Sequence, residues 1–381
     1  MANKLASWNT KYSADSAEFC PIAPFQNIFV IGTYKLLEKK ESSQPSSGGL
    51  DLIDKDLGAV GHQQTTQGPS EAELNVEPVK SEPSTRLGCL YVHRYDGAIA
   101  VELQVIDMSA ILDMKWSCNR VNGCILLAAV TSVGEVIILK LNECKENPRL
   151  DLYSQYQIGD GSTLALSLDW CNRKIQSNNP MITVSDSKGD INIFELQQQK
   201  LTLKNHTSSH KFEAWITAFN YWNPSLVYSG GDDCKFIGYD IRCGLENTIF
   251  TNKEHGAGVT SLHSNDVREH LLASGSYDEI VRLWDTRHMR RSVRECCVSG
   301  GVWRLKWRPL SGDELITACM YNNFHVLREN EVCNGGGLEI IESYTEHESI
   351  AYGVDWSWQQ GEETTIVSAS FYDNFVSLWK F

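Results

Sequence analysis

The sequence lacks the features that place a chain in a membrane, on a nucleic acid or around a metal. No apolar run approaches the roughly 18 residues a membrane span needs, so the chain reads as soluble with no membrane association. Met1 to Thr10 carry neither a hydrophobic stretch ahead of a cleavage site nor an Arg-rich amphipathic pattern, which leaves the expectation of a cytoplasmic protein. Lysine and arginine number 34 against 48 acidic residues, a formal charge of -14. That balance is the wrong sign for a phosphate-binding footprint, so direct nucleic-acid binding is not expected and the basic stretch Arg287 to Arg294 reads as a solvated loop. The twelve cysteines are irregularly spaced, several in apolar runs, and Cys296-Cys297 is an adjacent pair rather than C-x-x-C. Reduced thiols, no structural metal and no cofactor are the expectation. Hydrolase signatures are missing too: there is no G-x-S-x-G and no G-x-x-x-x-G-K-S/T, and His347-Glu348 lacks the second histidine of H-E-x-x-H. By motif alone the chain describes a binding scaffold.

What is present repeats. Gly275 to Arg287 reads G-S-Y-D-E-I-V-R-L-W-D-T-R, an Asp turn followed by a β-branched strand ending in Trp-Asp. Units of this kind, about 40 to 45 residues long, cannot bury their faces alone and stack radially around an axis. Upstream of each such hairpin lies an apolar residue, a second three later and an aromatic two beyond. The set runs Ile111, Met114, Trp116; Ala165, Leu168, Trp170; Ile216, Phe219, Tyr221; Val302, Leu305, Trp307; Ala351, Val354, Trp356. The unit at Val259 has Ser264 in the aromatic position. A seventh unit is interrupted by Leu36 to Arg86, rich in Ser, Gln, Gly, Pro and acids and read as a disordered insertion in the first blade. The chain is therefore expected to be one all-β domain, a seven-bladed WD40-type β-propeller, with Leu5 to Tyr12 supplying the outer strand of the last blade and removing an open sheet edge. With no free edge it is expected to be a monomer.

Propeller geometry gathers particular side chains. Loops entering the inner strands share one face with the turns between second and third strands, which would bring His210, Glu213, Trp215, Asp232, Tyr277, Trp303, Tyr321, Tyr352 and Tyr372 to one mouth. Among the histidines, His255 stands four residues before Val259, with Ser274, Asp278 and Trp284 at the offsets of the structural tetrad of Trp-Asp repeats. His347 has the same offset from Ala351, with Ala369 where the hydroxyl belongs. In the fourth blade that offset falls on Phe212, so His210 is expected to be freer to act. Two adjacent units end in D-x-R, at Asp240-Ile241-Arg242 and Trp284-Asp285-Thr286-Arg287. Arg242 and Arg287 can each present a bidentate fork to a partner, and such paired boxes resemble those of propeller receptors for cullin-4 ubiquitin ligases; D-x-R also occurs as an ordinary turn salt bridge.

The segments F-E-A-W-I-T-A-F-N-Y-W, V-Y-S-G-G-D-D, G-S-Y-D-E-I-V-R-L-W-D-T-R and G-G-V-W-R-L-K-W, with S-A-I-L-D-M-K-W and A-L-S-L-D-W upstream, resemble the diphthine methylesterase family. The resemblance implies hydrolysis of the methyl ester on methylated diphthine in translation elongation factor 2, giving diphthine and methanol. No catalytic residues carry over with it. Ester hydrolysis needs a base and oxyanion donors, which points to His210 as base with Glu213 or Asp232 as its orienter. The trimethylammonium of diphthine is best held over aromatic faces, for which Trp215, Tyr277 and Trp303 are placed. A non-catalytic adaptor working through Arg242 and Arg287 is the alternative.

Overall fold

Apolar residues at the first, fourth and sixth positions of each inner strand do not fit a strand of strict period two. Extruding one residue between the first and the fourth, a β-bulge, reconciles that spacing with a strand. The computed structural model has that irregularity where the spacing requires it, between Ala14 and Ser16, Ile111 and Asp113, Ala165 and Ser167, Val259 and Ser261, and Ala351 and Gly353. The sixth unit carries the equivalent feature: the Trp303 amide donates to the Ala318 carbonyl although Arg304 is the residue opposite Ala318. Only the fourth pairs without a shift, Ile216 to Gly230 and Thr217 to Ser229.

The structure describes residues 2–37, 85–97, 99–144, 146–330, 337–359, 361 and 363–381. The chain divides into a body of residues 1–35 with 86–381 and the stretch 36–85. The insertion read at 36–86 falls almost wholly outside the described residues. In the body, seven four-stranded sheets follow in chain order, forming a seven-bladed β-propeller. Six are consecutive strands. The seventh joins Ala351–Trp356, Thr365–Ser370 and Phe375–Lys380 to Asn3–Asn9, which pairs antiparallel with Phe375–Lys380 so that Asn3 faces Lys380 and Asn9 faces Phe375. Every blade thus has its fourth strand.

The recurrent aromatic does more than fill space. Trp116, Trp170, Trp307 and Trp356 each donate their indole N–H to a carbonyl of an inner strand of another blade, on Glu18, Lys115, His263 and Lys306 respectively. Ser264, where the fifth unit lacks the aromatic, makes the same link by donating to the Phe219 carbonyl. Burying a tryptophan contributes on the order of 4–6 kcal/mol before entropy is charged, and the donated hydrogen bond fixes the angle at which blades meet. Polar side chains on the axis-facing side add a second set of ties: Asp113 accepts from Leu168 N, Asp169 from Phe219 N, and Asp355 from Phe19 N.

Two buried tetrads pin the turns of blades five and seven. His255 lies 2.7 Å from Ser274 Oγ and 3.1 Å from Asp278, and Trp284 donates to Ser274. In blade seven Ala369 is not a missing hydroxyl. Ser368 takes that role at 2.8 Å from His347 and accepts from Trp379, while Ser370 relays His347 to Asp373. A turn longer by one residue displaced the offset.

His93 gives the body a measurable acid sensitivity. It packs between Trp8 and Phe29, with ring centroids 5.0 and 5.1 Å away. Burial lowers its pKa from 6.5 to about 4. Below pH 6.5 the unfolded chain takes up a proton that the folded chain refuses, so stability falls as pH drops from about 6.5 towards 4. At pH 5 the loss is roughly 2 kcal/mol. His93→Phe is expected to recover it, narrowing the gap in urea-unfolding free energy between pH 7 and pH 5 by that amount. An unchanged gap would show that His93 does not set it.

Candidate functional site

His210 is not free. Its side chain has no exposed surface, with Nδ1 2.7 Å from Asp233 Oδ1 and Nε2 2.8 Å from Ser229 Oγ. Ser229 in turn lies 3.0 Å from the Tyr239 hydroxyl. This is the fourth blade's own tetrad, with Tyr239 standing for the tryptophan. The separations of 19 and 23 residues from histidine to serine and aspartate equal those of His255. Counting back from the inner strand misplaced it, because the connection from His210 to Ile216 is two residues longer than that from His255 to Val259. A catalytic His210 is therefore withdrawn, and so is its pairing with Glu213 or Asp232: its partner is Asp233. Glu213 is partly exposed and helps through its backbone, whose carbonyl accepts from Asp232 N at 2.9 Å.

The longer connection has a product, which is Trp215. Its indole Nε1 donates to Asp232 Oδ1 at 3.2 Å, and the ring is almost wholly buried. Asp232 is half-buried, and desolvation raises its pKa above the ordinary carboxylate value, with the Trp215 hydrogen bond offsetting part of the rise. A tetrad aspartate beside a second, unpaired-by-histidine aspartate is the content of the Asp232-Asp233 doublet. Burial alone would also raise Asp233, but His210 and Lys235 outweigh it and hold that group low.

Trp215, Tyr277 and Trp303, from three successive blades, come together. Trp215 meets Tyr277 edge-on at 6.3 Å and Trp303 at 5.8 Å, and Tyr277 lies 6.2 Å from Trp303. Tyr352 extends the group by stacking on Trp303 at 4.6 Å and 18°. Phe371 continues it to Tyr372 at the surface, where Tyr321 and Phe212 are also exposed. Glycine makes the close approach possible. A Cβ on Gly258 would stand 2.9 Å from Asp232 Oδ1 and 3.1 Å from the Tyr277 ring, and one on Gly301 3.3 Å from the ring's other edge. The G-A-G-V and G-G-V-W segments are thus the bed on which Tyr277 lies next to Asp232.

The bulged residues hold the corresponding place in each bulged blade, and a bulge re-aims the side chain it carries. Most are apolar or small, such as Leu112, Leu166 and Thr260, but Tyr352 and Asp15 are not. Asp15 escaped notice in the sequence. Its only signal there is its place between Ala14 and Ala17, the bulge spacing of the first unit. One level further along, Arg304 reaches Asp113 at 3.4 Å, joining blade six to blade two across the axis. The opposite end of the channel holds a cavity of about 30 Å³ lined by Glu18, Lys115, Asp169, His263, Lys306 and Asp355. Lys306 lies between Glu18 and Asp355, Lys115 pairs with Asp113, and the space holds roughly a water or two. The aromatic mouth is the candidate site.

The D-x-R boxes sit on the far end of the blades from that mouth. Arg242 is bidentate to Asp240, at 2.9 and 2.6 Å, and Arg287 repeats this with Asp285 at the same distances. Each fork offered to a partner is occupied by the aspartate of its own box.

A WD domain, G-beta repeat, model matches residues 246–285. A chain in a crystal structure of the mitotic checkpoint complex aligns with TM-score 0.67 over all of this chain and 92% of that one, at 15% identity, which shows the fold alone. The mouse diphthine methyltransferase is 36% identical over 93% of this chain and 69% of its own length, and the human one 35% identical over 93% and 74%. More distantly, a DDB1- and CUL4-associated factor 11 homolog of Caenorhabditis briggsae is 21% identical over 54% of this chain and 43% of its own. With the mouse and human proteins 36% and 35% identical over 93% of this chain, the chain belongs to the diphthine methyltransferase family.

Proposed function

We propose that the protein is a carboxyl methylesterase of diphthamide biosynthesis, removing the methyl ester from methylated diphthine on translation elongation factor 2 in the cytoplasm. The observation that carries this reading is the meeting of Trp215, Tyr277 and Trp303 around a half-buried Asp232. A quaternary ammonium cannot donate a hydrogen bond, and ring faces beside a carboxylate hold it best, at about 0.5–2 kcal/mol per desolvated contact. With His210 in a tetrad, Asp232 is the base. Water adds to the ester carbonyl carbon as Asp232 takes its proton; the tetrahedral oxyanion then collapses, the bond to the methoxy oxygen breaks, and methanol leaves with that proton. A carboxylate made more basic by desolvation suits this step at neutral pH. Exposed Phe212, Tyr321 and Tyr372 around the mouth offer a surface to the protein that carries the modified residue.

The test is incubation of the pure protein with methylated factor in ¹⁸O-water. Loss of one methylene equivalent, release of methanol and ¹⁸O in the new carboxylate, with no methyl acceptor added, are expected. An unchanged mass would sink the reading.

A second reading has a specific basis in the weaker relative and the two D-x-R boxes: an adaptor that docks a cullin-4 ligase component through Arg242 and Arg287. It requires the occupied forks to exchange partners. Arg287→Ala should then abolish co-purification with that adaptor and leave demethylation untouched.

A further inference from the structure

Two polar atoms below the aromatic mouth are buried and meet no hydrogen-bond partner among the described residues: Trp303 Nε1 and Asp15 Oδ1. Trp303 is 9% exposed and Asp15 2%. Buried polar groups are satisfied in the great majority of cases, and an orphan costs about 1–3 kcal/mol. These two stand at corresponding places. Asp15 is the bulged residue of blade one, Trp303 holds the same position in blade six, and Tyr352, the bulged residue of the blade between them, stacks on Trp303. Arg304, the residue after Trp303, engages Asp113 at 3.4 Å.

The two groups have one character. The indole N–H can only donate. Burial pushes the Asp15 carboxyl well above the ordinary range, Arg304 offsets that only in part, and Asp113 adds to it, which favours the protonated carboxyl, the form that donates. Two donors suit a carbonyl oxygen and reject a cation.

We propose that Trp303 Nε1 and the Asp15 carboxyl form the polar floor of the aromatic site and bind the carbonyl oxygen of a ligand whose quaternary ammonium lies against Trp215, Tyr277 and Trp303. The ligand class is a trimethylammonium compound carrying a neutral carbonyl; the identification of that carbonyl with a methyl ester rests on the esterase reading. In that reaction the same donors face the oxyanion, the place where pre-set donors act most strongly.

Two non-hydrolysable probes separate floor from walls. Acetonyltrimethylammonium has the cation and a carbonyl; isobutyltrimethylammonium has the same shape and no oxygen. Calorimetric titration of the full chain should show the ketone bound about 10-fold more tightly, the worth of one or two buried hydrogen bonds. Trp303→Phe and Asp15→Leu should erase that preference, whereas Asp15→Asn, whose amide still donates, should keep it to within about three-fold. A loss of packing weakens both probes alike and leaves the ratio unmoved. Should Asp15→Leu fail to fold, Trp303→Phe and Asp15→Asn carry the comparison. A wild-type ratio near one, or a ratio that survives Trp303→Phe, overturns the proposal. The esterase reading is scored separately: ketone preference without methyl loss from the factor removes the esterase and keeps the floor, and methyl loss without the preference does the reverse.

Discussion

Asp232→Asn is expected to lower kcat for methyl-ester hydrolysis by about 100- to 10 000-fold while KM moves by less than a few-fold, the range a positioned base contributes. The amide keeps the shape of the side chain and can still accept from Trp215 Nε1, so the rings stay where they are. What it loses is the proton-accepting oxygen. Because desolvation raises the Asp232 pKa, wild-type activity should fall as pH drops through a value above the ordinary carboxylate range, and the residual activity of the variant should lack that limb. The fold should be untouched, since Asp232 lies outside the tetrad. A kcat within three-fold of wild type would remove Asp232 from the chemistry. Glu213→Gln then becomes the next variant to measure, as the remaining carboxylate of the same loop pair.

His210→Ala is expected to act in the opposite manner, through stability. It removes the shared partner of a buried chain, leaving the Ser229 hydroxyl and the Asp233 carboxylate each short of one hydrogen bond. Leaving buried hydrogen-bonding groups short of a partner costs about 1–3 kcal/mol each. His255→Ala should match it, since the two rings occupy equivalent places. Urea unfolding measures the loss, and any activity deficit should follow the folded fraction. A variant with wild-type stability and no hydrolysis would restore His210 as the base and undo the tetrad.

The contrast shows which parts of the molecule were legible in the sequence. Blade count and the inner-strand pattern could be read because every copy must bury the same faces, and the unusual interval of three residues even implied the bulge. Trp215, Tyr277 and Trp303 could be grouped because loop position in a propeller is fixed by strand order. His210 was misread for a physical reason: a tetrad is anchored to the hairpin it braces, so its spacing to Ser229 and Asp233 is held, while the connection to the inner strand is free to lengthen. Asp15 could not be picked out, since one acid among many reveals nothing of its surroundings until the strands around it have removed the water. The D-x-R boxes could be read in two ways, as docking forks or as ordinary turn salt bridges, and in the structure Arg242 and Arg287 each hold the aspartate of their own box.

The seventh blade draws its outer strand from residues 3–9 and its other three from residues 351–380. While the chain is being made, the first strand lacks its partner until Phe375–Lys380 has left the ribosome, so six blades can assemble one after another but the circle closes only once the seventh has emerged. Throughout that interval the nascent protein carries an unpaired strand at each end, the state most open to chaperones and to joining with another copy.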